Sequence, residues 1–210
     1  MMLRGGDAIE VKKTESRHAD LALNSSYPKA ILTLNHPMLT THCRSAEDWQ
    51  QKDMLYVVGH VNKDKLQSLA FVYGVDYAAD DAIYQTIKSR IKQGVETIEG
   101  VEFTETKELG KIKKVDPLGI TDLRVRGMWH IQSPFKVFDY VYQRDFDNAF
   151  NVMVIINEQK WQTLTNTQAL KDVIATTPNA TLTDIQIKNP NNPAQLKAAK
   201  LITFFVRGEA

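Results

Sequence analysis

Residues 5–13 read Gly5-Gly6-Asp7-Ala8-Ile9-Glu10-Val11-Lys12-Lys13, and the alternation in this stretch governs how the rest of the chain is read. Paired glycines permit positive φ and read as a turn. From Asp7 to Lys13 the pattern has a period of two, which predicts a strand. Ala8, Glu10 and Lys12 fall on one face, and Asp7, Ile9 and Val11 on the other. A carboxylate and an ammonium therefore point the same way from one strand. Two readings fit that pair. One is a solvated ion pair on a strand face. The other is half of a site for phosphate-ester chemistry, in which carboxylate oxygens hold a hard cation such as Mg²⁺. The neighbouring ammonium would orient or help deprotonate water and offset developing charge.

Outward from this strand, Met2-Leu3-Arg4 reads as the stub of another strand. Asn24 to Lys29 is a loop, and Ala30 to Leu34 is a short apolar run of either type. Ser45 is a candidate helix N-cap, with Asp48 three residues on. Asp53 to Val61 and Leu66 to Tyr73 are β-rich runs around the polar turn Asn62-Lys63-Asp64-Lys65, which predicts an antiparallel hairpin. Ala82, Ile83, Ile87 and Ile91 have near-helical spacing, so Asp80 to Gln93 reads as a helix capped by Asp80 and stopped by Gly94. Leu123 to Ile131 reads as one strand with Arg124 and Arg126 on one face. Phe135 to Tyr142, Phe150 to Ile156, Leu182 to Lys188 and Leu201 to Val206 read as further strands. Thr167 to Ala175 and Pro193 to Lys200 read as helices. The fold class is a mixed α/β (α+β) domain: a core over residues 1–160 with a C-terminal α+β extension over 161–210 packed on it.

The chain has 210 residues, 43% hydrophobic and 24% charged, which suits a globular domain and excludes wholesale disorder. Lys+Arg number 26 against 25 Asp+Glu, for a net charge of +1. A bulk polybasic binder is excluded, and any nucleic-acid cleft must be local. Cys43 is the single cysteine, so neither an internal disulfide nor a Cys-rich zinc site is available, which fits a cytoplasmic location. No apolar run is long enough for a membrane span. The five histidines show no paired ligand spacing, and His60 lies in a strand where core packing is the expected role. Gly-rich phosphate loops are absent.

Glu10-Val11-Lys12 matches the second half of the PD-(D/E)xK metal-dependent nuclease motif. The likeness extends through Leu21 to Lys29 (LALNSSYPK), Tyr56 to Gly74, and Phe103 to Trp129 (FTETKELGKIKKVDPLGITDLRVRGMW). Together these resemble type II restriction endonucleases of the NgoPII type over about the first 145 residues. That resemblance implies a restriction-endonuclease-like fold with a mixed central sheet flanked by helices. It implies Mg²⁺ as cofactor, double-stranded DNA cut at GGCC, a homodimer matching a two-fold site, and a cognate DNA methyltransferase as genetic neighbour. Glu10 and Lys12 take the catalytic positions, and Glu10 binds the metal. The family's other metal ligand is an aspartate on the strand before the glycine turn, and no acid precedes Gly5. The chain therefore reads as lacking the N-terminal portion of the motif. Asp7 is the one nearby substitute, though parity puts it on the opposite face from Glu10.

Arg124 and Arg126 are the candidates for reading guanine edges, as arginines commonly do. Lys113, within the basic run Lys107 to Lys114, and Lys29 and Arg44 are candidates for phosphate contacts. The alternative for the whole chain is a non-catalytic DNA-binding or interaction module that keeps the nuclease fold.

Overall fold

The computed structural model describes residues 6–17, 19–24, 26–36, 39–104, 106 and 109–208. In chain order the elements are β1 (Ala8–Thr14), β2 (Leu21–Asn24), β3 (Ile31–Thr33), α1 (Thr41–Ser45), β4 (Gln51–Asn62), β5 (Lys65–Tyr73), α2 (Gly74–Tyr77) and α3 (Asp81–Glu96). They continue as β6 (Glu102–Thr104), β7 (Gly110–Lys113), β8 (Leu123–Val125), β9 (Met128–Ile131), α4 (Pro134–Val137), β10 (Asn148–Asn157), α5 (Glu158–Thr163), α6 (Thr167–Thr176), β11 (Ala180–Asn189) and β12 (Asn192–Arg207). The expected strand at Met2 to Arg4, and Gly5 of the glycine turn, lie outside the described residues.

A seven-stranded mixed sheet organises the molecule, in the order β1-β4-β5-β10-β12-β11 with β3 also paired to β4. β1 runs parallel to β4, and β5 parallel to β10. The β4–β5, β10–β12 and β11–β12 pairs are antiparallel. The β4–β5 hairpin turns through Lys63 and Asp64 at φ 47° and 64°. Two left-handed residues in a two-residue loop match the right-handed twist of the flanking strands. Two small sheets lie beside the main one, β2–β9 and β6–β7–β8.

Each face of the main sheet buries its own core. On one, Tyr56, Val58, Ala70, Val72, Met153 and Ile155 pack beneath Leu21 of β2 and Phe135 and Phe138 at α4. On the other, Tyr73, Ile156 and Ile202 pack against Trp161 of α5 and Ile174 of α6. His60 is 4% exposed, as its strand position predicts. β1 is the outer strand of the six-strand path, and the side chains it turns from the first core, Ile9 and Val11, are 61% and 70% exposed.

Several segments differ from the sequence reading. Pro193 to Lys200 is not a helix but the first half of β12. Its Ala, Gln, Leu and Lys favour helix, yet pairing with β11 through the Asn189–Asn192 turn and burial of Ala199 override that propensity. Phe135 to Tyr142 is not a strand. Pro134 opens the short helix α4, where its missing N–H costs nothing. Leu123 to Ile131 is not one strand: β8 joins the three-stranded sheet and β9 pairs with β2. α3 passes through Gly94 to end at Glu96, and Asp80 occupies its N-cap position without a capping side-chain bond. Ser45 is the last residue of α1, whose N-cap is Thr40.

A partly buried ion pair joins β12 to α2, just beyond β5. The Asp76 side chain is fully buried in α2, and Lys197 of β12 pairs with it. Asp76 also accepts hydrogen bonds from the backbone and side-chain nitrogens of Asn157, at 3.3 and 2.7 Å. Removing one partner of such a pair strands the other charge. Lys197→Met is therefore expected to lower stability by about 3–5 kcal/mol, read as a lower urea midpoint with an unchanged slope.

Candidate active site

Parallel pairing in the register Glu10↔Tyr56 and Lys12↔Val58 puts Glu10 and Lys12 on the same face as Tyr56 and Val58. The Lys12 ammonium lies 2.8 Å from Glu10 Oε1, with the two side chains 26% and 37% exposed. Both line a cleft of about 540 Å³ whose walls include Tyr27, Lys29, His36 and Tyr56.

Tyr56 fixes the opposite wall. Its hydroxyl accepts the backbone N–H of Lys29 (2.7 Å) and donates to the Lys29 carbonyl (3.0 Å). Burial pushes this phenol well above its ordinary pKa, so it stays protonated and able to donate. Held this way, the Lys29 ammonium bonds Asp81 in the first turn of α3 at 2.8 Å and sits 3.6 Å from the centre of the Tyr27 ring. The Tyr27 hydroxyl donates to the same Asp81 oxygen at 3.1 Å. Tyr27 also stacks on Tyr84, and Trp129 of β9 meets both rings edge-on. Burial, reinforced by Lys29 and Arg44, holds His36 below the usual imidazole pKa against the opposing pull of Asp81, so the ring is neutral at pH 7.

Behind β1 a second set of charges ties the strand down. Lys160 of α5 donates to Asp7 Oδ1 at 2.8 Å and to Asp53 Oδ2 of β4 at 2.6 Å. The Tyr73 hydroxyl donates to the other Asp7 oxygen at 2.7 Å. Burial alone would lower the Lys160 pKa, but the hydrogen bonds and charges of Asp53 and Asp7 outweigh it and raise it.

The structure thus brings Glu10, Lys12 and Lys29 to one cleft and places Asp7 behind β1, bonded to Lys160 and Tyr73. Arg44, on α1 beside the cleft-lining Cys43, donates to the His36 carbonyl at 3.0 Å. Lys113 and Arg124 lie on β7 and β8 of the three-stranded sheet, and Arg126 follows β8. That segment leads through Gly127 into β9 and Trp129, which links it to the cleft wall. Lys107, Glu105 and Glu108 lie outside the described residues. Tyr56, Asp81, Tyr73, Asp53 and Lys160 had no sequence signal for these roles, because each partner is distant along the chain.

Glu10 is the one acidic side chain lining the cleft among the described residues, and no group of three or more His, Cys, Asp or Glu gathers there to hold a metal. A hard cation takes six or more oxygens. Glu10 would supply one carboxylate oxygen ligand to such a cation, and the described residues offer no second in the cleft.

A family profile described as NgoPII restriction endonuclease matches residues 1–188. The chain belongs to the NgoPII restriction endonuclease family. It is 54% identical over 204 residues to the type II restriction enzyme NgoPII of Neisseria gonorrhoeae, an alignment covering 97% of this chain and 73% of that relative. No solved structure matches it. The family match spans Glu10, Lys12 and the whole cleft wall. No helix among the described residues is long and apolar enough to cross a membrane.

Gly74 shows how tightly that wall is set. A Cβ there would lie 2.4 Å from the Lys29 carbonyl oxygen and 2.7 Å from that of Ala30. Gly74→Ala is expected to push the Lys29 segment off Tyr56 and cost about 1–3 kcal/mol, seen as a lower melting temperature together with weakened DNA cleavage.

Proposed function

We propose that this chain is a type II restriction endonuclease whose cleft hydrolyses phosphodiester bonds of duplex DNA, with GGCC as the site implied by the family. The observation that carries the assignment of the centre is the ion pair of Glu10 and Lys12, side by side on one strand and open to a cleft. Glu10 would hold a divalent cation, Mg²⁺ by family resemblance. Such a cation, when bound, neutralises charge on the phosphoryl group. Lys12 supplies a fixed positive charge beside the reacting phosphate and orients the attacking water. Lys29, its charge shared with Asp81, and Arg44 lie toward the DNA backbone. Arg124, Arg126 and Lys113 form the recognition side, on the sheet that joins the cleft through Trp129.

Partly exposed ion pairs contribute about 0–1 kcal/mol to stability, so this one can be broken without unfolding the chain. Glu10→Gln and Lys12→Ala are each expected to melt near the wild-type temperature and to lose cleavage of a GGCC plasmid in Mg²⁺. Cutting at the wild-type rate by either variant would sink the assignment. Duplex binding without cleavage by the wild-type chain, in Mg²⁺ and Mn²⁺ alike, would favour the non-catalytic module. The described residues' lack of a second cleft carboxylate is the observation on that side.

A two-fold DNA site calls for two copies of the chain. α3 has no buried residue, and Ile83, Ile87 and Ile91 form a stripe along it that is 49%, 50% and 38% exposed. We assign this stripe to the contact with the second copy. Light scattering should give a dimer for the wild type and a monomer for Ile87→Glu. A monomeric wild type would overturn the assignment.

A further inference from the structure

On the same face of the sheet as Glu10 and Lys12, past the C-terminal end of β1, two arginines converge, and among the described residues no acid pairs with them. The register places Thr14 beside His60 of β4, His60 beside Ser68 of β5, and Ser68 beside Asn151 of β10. The half-buried Arg144 reaches into this corner. Its Nη1 donates to Ser68 Oγ at 3.1 Å and its Nη2 to the Arg17 carbonyl at 2.8 Å. Its guanidinium lies 4.3 Å from the centre of the Phe135 ring and 5.0 Å from that of Phe146. The Arg17 guanidinium lies 4.4 Å from the same Phe146 ring.

The acceptors that hold Arg144 are neutral. Among the described residues, no carboxylate pairs with either guanidinium. The nearby Asp145 carboxylate accepts the Asp147 N–H instead, and Glu15 pairs with Lys13. The excess charge is felt locally: burial, then Arg144 and Arg17, lower the pKa of His60. Partly burying a cation without a counter-charge is costly. Fixing its plane by stacking and neutral acceptors leaves donors set for a planar or tetrahedral oxyanion, the geometry that suits arginine to phosphate.

We propose that Arg144 and Arg17 bind a phosphate of the DNA backbone flanking the one at Glu10. Ser68, which anchors Arg144, lies four residues along and two strands across from Glu10, about 16 Å away, a distance of about five phosphate steps along one strand of the duplex axis. This site rests on the reading of the chain as a DNA enzyme. It extends the cleft to a track running from Lys29 past Lys12 to the end of β1.

The test is duplex binding in EDTA, where hydrolysis does not compete, against a GGCC duplex and an unrelated duplex over a salt series. Arg144→Met and the exposed Arg17→Met are each expected to weaken both duplexes equally, by about ten-fold. Each should also lower the slope of log affinity against log salt by about one, and Arg144→Lys should recover part of the loss. Unchanged affinity and slope in Arg17→Met and in a folded Arg144→Met overturn the site. So does a loss confined to the GGCC duplex, which marks base reading instead. If the wild-type chain binds neither duplex, the nuclease reading fails, and this site with it.

Discussion

The ammonium of Lys160 sits between Asp7, just before β1, and Asp53 of β4, and the placement of the candidate site depends on that bridge. It joins the two strands from the rear of the sheet, and Tyr73 takes up the remaining Asp7 oxygen. With Asp7 committed to the rear, strand parity sends Glu10 and Lys12 to the front. The charge on one face therefore fixes the direction of the charge on the other. A slip of one residue in the β1–β4 register would invert both sets at once, putting Glu10 behind and leaving Asp7 in the cleft.

The front wall is built by contact of backbone rather than by charge. Tyr56 grips both polar groups of the Lys29 peptide, and Gly74 lets that segment approach the end of β5 closely. Asp81 then sets the Lys29 side chain. Three elements distant in sequence thus meet at one lysine. The pair of the buried Asp76 and Lys197 steadies the same region, because Asp76 lies two residues beyond Gly74 and also holds Asn157, whose side chain caps α5 by accepting the Lys160 N–H. The helix that carries Lys160 and the turn that seats Lys29 share one anchor.

The strands were legible where alternation was clean and a turn bounded them: β1, the β4–β5 hairpin, β10 and β11. Reading failed where local preference and tertiary pairing disagree. Pro193 to Lys200 reads as helix in isolation and becomes strand because β11 lies beside it. Phe135 to Tyr142 has the aromatics of a strand but follows a proline that opens a helix. At the site, Glu10 and Lys12 were legible because their relation is local, two residues on one strand. Lys29 was recognisable only as a basic residue near the motif, since its grip by Tyr56 spans 27 residues. Lys160 is 153 residues from Asp7, and no periodicity or spacing announces such a pairing.

Among the described residues β1 pairs with one strand along the part that carries Glu10 and Lys12, and its outward side chains Ile9 and Val11 contribute little burial. Segments held by few buried contacts open at a lower free energy than the global transition. The strand that carries the candidate site is therefore expected to open as its own cooperative unit, less stable than the β5–β10–β12 centre. Amide exchange should be faster along β1 than along β10. On warming, activity should disappear while most of the sheet is still folded.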